Sequence, residues 1–183
     1  MKQQIWTTAT SSAALLWFAG ALTAADPAPA AADAAAPSTV KATFLMTGLH
    51  CPPCTSTVER SIKSIPGVRS VKVDWTTKNA RVEFDEKQIA AQQLSNRIAT
   101  TPHMMGGTMK YGGWLALKVP EIAAEGNGDK AKDALTKVKG VDKVSIYAAQ
   151  KSIGVSFSAE GQVTSAQLIE ALKGTGLEAS VLP

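Results

Sequence analysis

The only two cysteines among the 183 residues stand three positions apart, in Cys51-Pro52-Pro53-Cys54. Three kinds of chemistry suit that spacing. Two thiolates grip a soft ion that accepts few ligands, such as Cu(I) or Hg(II). A dithiol exchanges with disulfides, and Cys-Pro-Pro-Cys is thioredoxin-like in this respect. The pair can also close as an inert structural ring. Structural zinc fits poorly, because it takes four ligands and one chain offers two thiols.

Other soft donors occur nearby. His50 adjoins Cys51, and "TPHMMGGTMKYGG" places His103 beside Met104, Met105 and Met109. Thioethers near thiolates favour Cu(I) over harder ions, so His50, His103, Met104, Met105 and Met109 are candidates for a secondary metal or tuning role. Flexible methionines also cap apolar cores, which is the competing use. Met46 shares a strand face with Phe44 and is expected in the core. Trp75 is a candidate shield for the same end of the fold.

The elements that must carry these residues follow from periodicity. "VKATFLM" alternates and is rich in strand formers. Thr55 to Ile65 presents Val58, Ile62 and Ile65 as one helical stripe and stops at Pro66-Gly67. Cys51 then lies in the loop after the first strand, and Cys54 in the first helical turn. Proline is tolerated at that position, and the helix N-terminus favours thiolate over thiol. Val68, Val71 and Val73 lead into a turn at "TTKN", "ARVEF" returns, and Ile89, Leu94 and Ile98 mark a second helix. Strand, helix, strand, strand, helix, strand is the ferredoxin-like split motif. Its strand directions bring the cysteine loop, the hairpin turn and the His/Met loop to one end.

The same pattern runs twice. At an offset of 73 residues Gly67, Val68, Val71 and Phe84 meet Gly140, Val141, Val144 and Phe157. Val58, Ile62 and Ile65 meet Ala131, Leu135 and Val138, and after one inserted residue Leu94 and Ile98 meet Leu168 and Leu172. The expected fold is α+β, with two ferredoxin-like βαββαβ sandwiches in tandem. Residues 39–112 form the first unit and residues 113–183 a degenerate second. At their junction, either Thr108–Tyr111 and Trp114–Val119 serve one unit each, or one strand serves both. Ala124 and Asn127 replace Cys51 and Cys54 in the second copy, which keeps the scaffold pattern and loses the donors.

Upstream, Lys2, the apolar run Ala13–Leu22 and small residues to Ala25 form the layout of a secretory signal peptide, residues 1–25. Residues 26–38, almost all Ala and Pro, read as a disordered linker. The chain is expected to be periplasmic or otherwise exported, with no membrane insertion after cleavage. Removing residues 1–25 takes away one lysine and leaves 18 basic against 15 acidic residues, a formal charge of +3. These charges are scattered, without a basic block, so nucleic acid is not an expected partner. No nucleophile–base constellation, paired acidic site or phosphate-cradling loop points to an enzyme.

Gly48-Leu49-His50-Cys51-Pro52-Pro53-Cys54, set between an alternating strand and a helix ending at Pro66-Gly67-Val68, resembles the heavy-metal-associated domain family. That family includes copper chaperones, N-terminal modules of copper-pumping ATPases and periplasmic mercury-binding proteins. Its pattern is Gly-Met-x-Cys-x-x-Cys. Gly48, Cys51 and Cys54 match, and Leu49 replaces a methionine that is core rather than ligand. The resemblance implies one Cu(I) or Hg(II) per chain, held by Cys51 and Cys54 for transfer or sequestration. It also implies a metal donor or acceptor protein, such as a membrane transporter, as partner. The competing readings are a thioredoxin-like thiol–disulfide oxidoreductase, with Thr101-Pro102 facing the cysteines, and an interaction module with an inert disulfide.

Overall fold

The computed structural model describes residues 39–183, and the expected signal peptide and linker lie outside the described residues. The chain runs β1 (Thr39–Thr47), α1 (Pro53–Lys63), β2 (Val68–Asp74), β3 (Asn79–Asp85), α2 (Ala91–Thr100), β4 (Gly112–Lys118) and α3 (Asn127–Thr136). It continues with β5 (Val141–Tyr147), a short 3-10 turn (Ala148–Gln150), β6 (Ser152–Phe157), α4 (Ser165–Lys173) and β7 (Ser180–Val181). The architecture is α+β and ferredoxin-like, with an antiparallel sheet ordered β2-β3-β1-β4-β6-β5 and β7 also paired to β4.

At the junction the second of the two expected arrangements is found. Residues 108–111 form no strand, and β4 alone serves both sides. Its first half, Gly112 to Leu115, pairs with β1, while Leu115 to Lys118 pairs with β6 on the other edge. Where β1 leaves β4, β7 takes over the same edge at Leu117 and Lys118. The strands therefore make one forked sheet rather than two separate ones. A backbone has two hydrogen-bonding edges, and β4 uses both, so one strand serves the pairings on either side. The C-terminus closes the fork. Leu182 donates its N–H to Ala116 O at 3.0 Å and accepts from the Thr43 N–H at 2.8 Å, and the Thr43 hydroxyl donates to Pro183 O at 2.9 Å.

The helical stripes read from the sequence bury as expected. Val58 and Ile62 of α1, Leu94 and Ile98 of α2, Ala131 and Leu135 of α3, and Leu168 and Leu172 of α4 belong to a single continuous apolar core. Phe44 and Met46 join it from β1. Helix α1 starts at Pro53, as expected of a proline that fits the first helical position, and stops at Lys63, before the Ile65 of the stripe.

Backbone details recur at the 73-residue offset. Gly67 and Gly140 both take left-handed φ values, +91° and +107°. Lys78 and Lys151 are the only non-glycine residues with positive φ among those described, at 54° and 49°. The carbonyl of Lys78 accepts from Met46 N–H at 2.7 Å, and that of Lys151 from Val119 N–H at 2.8 Å.

A polar lock joins the two halves at the end of the sheet away from the cysteines. Gln92, fully buried on α2, donates through Nε2 to Ser158 O at 2.9 Å and Glu160 O at 2.7 Å, and its Oε1 accepts from Val163 N–H at 3.0 Å. Asn96, one turn on, donates to Ser158 O and Ala159 O. The Glu86 carboxylate accepts from the backbone N–H and hydroxyl of Ser165 at the start of α4.

Candidate metal centre

Three connections meet at one end of the sheet, as the split motif requires. The first is the cysteine loop, residues 48–52. Gly48 turns the chain with φ +78°, and a side chain there would run into the Lys110 carbonyl. Leu49 is buried, as expected of the residue in the family's methionine position, and His50 is exposed. Cys51 is half-buried and Cys54 fully buried. Their Cα atoms are 5.4 Å apart and their sulfurs are joined in a disulfide.

Cys54 is the second residue of α1, and its N–H donates to Cys51 O at 3.0 Å. No side chain caps the helix and no acidic residue sits in its first turn, so the positive end of the helix dipole faces the sulfurs without an offsetting anion. In the reduced pair that dipole favours thiolate over thiol. While oxidised it offers no ligand electrons of thiolate character, so only the dithiol form of the pair could ligate a metal. Among the described residues no three His, Cys, Asp or Glu side chains gather at one point. Hard cations that require several oxygen ligands have no cage there.

The second connection is the β2–β3 turn, closed by Thr77 N–H donating to Asp74 Oδ1 at 2.9 Å. The Thr77 amide holds the Asp74 carboxyl below its ordinary range. The turn projects Lys78, whose ammonium donates to Leu49 O at 3.1 Å and lies 2.9 Å from the centroid of the Trp75 ring. Trp75 packs partly buried against the core and carries on its face a lysine that sequence reasoning missed. Its signal was weak: a left-handed residue in a four-residue turn is more often Asn or Gly.

The third connection, residues 101–111, places the expected soft donors unevenly. His103 donates from Nε2 to Gly48 O at 2.9 Å, and its Nδ1 accepts from Met105 N–H at 3.1 Å. Those two bonds assign the neutral Nε2–H tautomer. Both ring nitrogens are hydrogen-bonded, so His103 ties this connection to the cysteine loop. Its ring stacks on Tyr111 at 4.4 Å and meets the exposed His50 edge-on at 5.6 Å. Tyr111 is buried, and its hydroxyl has no protein partner. Met104, Met105 and Met109 are 56%, 58% and 40% exposed, whereas Met46 is buried.

Thr101-Pro102 does not take the place expected of it beside a redox pair. The Thr101 hydroxyl donates to Ser61 Oγ at 2.8 Å, which sets these residues beside α1 two turns beyond Cys54. In the second half, Asn127 N–H donates to Ala124 O at 3.1 Å, the same turn that joins Cys54 to Cys51, built without sulfur.

Comparison with known proteins identifies the first half. Residues 43–100 match the heavy-metal-associated domain. The chain is 32% identical over 59 residues to the copper chaperone CopZ of Enterococcus hirae, an alignment covering 32% of this chain and 86% of CopZ. It is 33% identical over 62 residues to the periplasmic component of a mercuric transport protein from Pseudomonas aeruginosa, covering 34% and 68%. To copper-transporting ATPase 2 of Rattus norvegicus it is 25% identical over 162 residues, covering 74% of this chain but only 11% of that much longer protein. With an alternating β1, a Gly48 turn and a Cys-x-x-Cys pair on the first turn of α1, this chain belongs to the heavy-metal-associated domain family.

Proposed function

We propose that this protein is an exported, non-enzymatic carrier that captures one soft metal ion, Cu(I) by preference and Hg(II) as the other candidate, between Cys51 and Cys54. The observation that carries the reading is the pair's seat: two sulfurs on the uncapped N-terminal turn of α1, with Lys78 fixed on the same loop. Two thiolates and a monovalent ion leave a net negative complex, which the helix dipole and a nearby ammonium both favour. Low coordination number keeps the ion accessible, so it can leave by ligand exchange to a partner's thiolates. A membrane metal transporter or a second carrier fits that role. The names of the relatives, copper chaperone and mercuric transport protein, support the choice of ions.

The second half is read as a degenerate copy of the same unit that has become scaffold. The recurrence of the left-handed lysines, the left-handed glycines and the Ala124–Asn127 turn at the 73-residue offset supports this. Export is supported by the leader pattern of residues 1–25 and suits a chain whose cysteines close as a disulfide.

The test is anaerobic titration of reduced protein with Cu(I), Hg(II) and Zn(II) under competition, with X-ray absorption to count sulfur ligands. One equivalent of Cu(I) with thiolate ligation is expected, and Cys51→Ser with Cys54→Ser should remove that site. Unchanged affinity in the double variant would overturn the proposal. The closed disulfide favours a second reading, an interaction module with an inert bridge. Mass analysis of the exported protein with a thiol trap separates the two: a pair that resists physiological dithiols supports the bridge.

A further inference from the structure

The methionines of the 101–111 connection are misplaced for packing. Met104 and Met105 occupy the two central positions of a tight turn closed by Gly106 N–H donating to His103 O at 3.3 Å. A second turn follows at once, closed by Met109 N–H on Gly106 O at 3.3 Å. Turn centres favour Pro, Asn, Asp, Ser and Gly, and nothing in turn geometry asks for a thioether. Nor does burial explain them, since all three are substantially exposed while Met46 fills the core. They account for three of the four exposed large apolar side chains among the described residues.

The loop that carries them is held in place. His103 ties it to Gly48 through one ring nitrogen and braces Met105 through the other, with its ring stacked on buried Tyr111. The imidazole thus anchors the loop against the cysteine loop. Past this anchor the loop has room: a side chain added at Gly106 or Gly107 would meet no atom within 4 Å. An anchored base and an open tip suit a site whose side chains converge on an ion.

We propose that Met104, Met105 and Met109 form a second soft-metal site that takes one Cu(I) through three thioethers while Cys51 and Cys54 remain disulfide-bonded. Thioethers are soft, neutral donors that select monovalent copper over zinc and harder ions. Unlike thiols they survive as ligands when the neighbouring sulfurs are oxidised. Binding changes no oxidation state: three sulfur–metal bonds replace solvent around an ion that stays monovalent. The site stands independently of the thiolate reading, since it calls on neither cysteine.

The test uses the full exported chain with its disulfide intact, carrying 13C-methyl methionine, and titrated with Ag(I) as a redox-inert stand-in for Cu(I). One equivalent is expected to shift the methyl signals of Met104, Met105 and Met109 and leave that of Met46 in place. Replacing all three by leucine should weaken Ag(I) binding to the oxidised protein at least tenfold, while the reduced variant still takes Cu(I) through its cysteines. Stationary methyl signals, or equal affinity in the leucine variant, would overturn the site. Because the reduced variant is measured in parallel, loss of the thioether site and loss of the thiolate site register separately.

Discussion

Gln92→Met tests whether the two halves unfold as one body. Methionine matches glutamine in length and lacks branching, so the substitution removes hydrogen bonds without opening a large cavity. Three partners lose their bonds: Val163 N–H, Ser158 O and Glu160 O. Val163 is buried, so stranding its N–H costs about 1–3 kcal/mol. Ser158 and Glu160 are exposed, and their carbonyls can turn to water, so each loses only the net value of a hydrogen bond, about 0.5–1.5 kcal/mol. The sum is about 2–6 kcal/mol, a large part of the 5–15 kcal/mol that typically holds a domain folded. The Asn96 and Glu86 contacts across the same seam remain and bias the outcome toward the lower end. Urea unfolding followed by tryptophan fluorescence and far-ultraviolet circular dichroism should give one transition by both probes in the parent, moved to lower urea in the variant. Trp75 reports on the hairpin of the first half and Trp114 on β4. A change below 1 kcal/mol, or two transitions of which only one moves, would refute a single cooperative body.

Two further predictions concern the cysteine end. Gly48→Ala places a side chain at φ +78° and against the Lys110 carbonyl; it should cost about 1–3 kcal/mol from the backbone alone. Thermal unfolding should show the loss, and an unchanged midpoint would contradict the fit. Lys78→Met keeps the stem over Trp75 and removes the ammonium that bonds Leu49 O. Losing about 1 kcal/mol of charge stabilisation should slow alkylation of the reduced cysteines at neutral pH roughly fivefold. Equal rates in the two proteins would separate Lys78 from the chemistry of the pair.

Local pattern made much of this visible in the sequence. The stripes at Val58, Ile62 and Ile65 and at Leu94 and Ile98 marked helices, since burying one face imposes a 3.6-residue period. Strand direction then sufficed to bring the cysteine, hairpin and methionine connections to one end, because antiparallel order follows from connectivity. What stayed hidden depends on distant pairing. The stretch "GGWLALK" left open whether one strand serves both sides, since an edge's partner lies elsewhere in the chain. Gln92 reads as an ordinary solvent-facing helical polar residue until the 158–163 loop arrives to bury it. The chemistry of His103 was legible, but its hydrogen bonds to Gly48 O and Met105 N–H depend on where two other loop segments fall.

The fork in the sheet also orders events in time. Thr43, near the start of the described fold, donates hydrogen bonds to the carbonyls of Leu182 and Pro183, 139 and 140 positions later. Closing a chain loop of that length costs on the order of 4 kcal/mol of entropy, and topologies rich in such contacts fold slowly. During synthesis the cysteine-bearing half emerges first and waits with the β1 edge beside β4 unpaired until Leu182 and Pro183 appear. Strand β1 and the segment Leu182–Pro183 then finish at the same seam, so a tail appended after Pro183 would grow out beside β1.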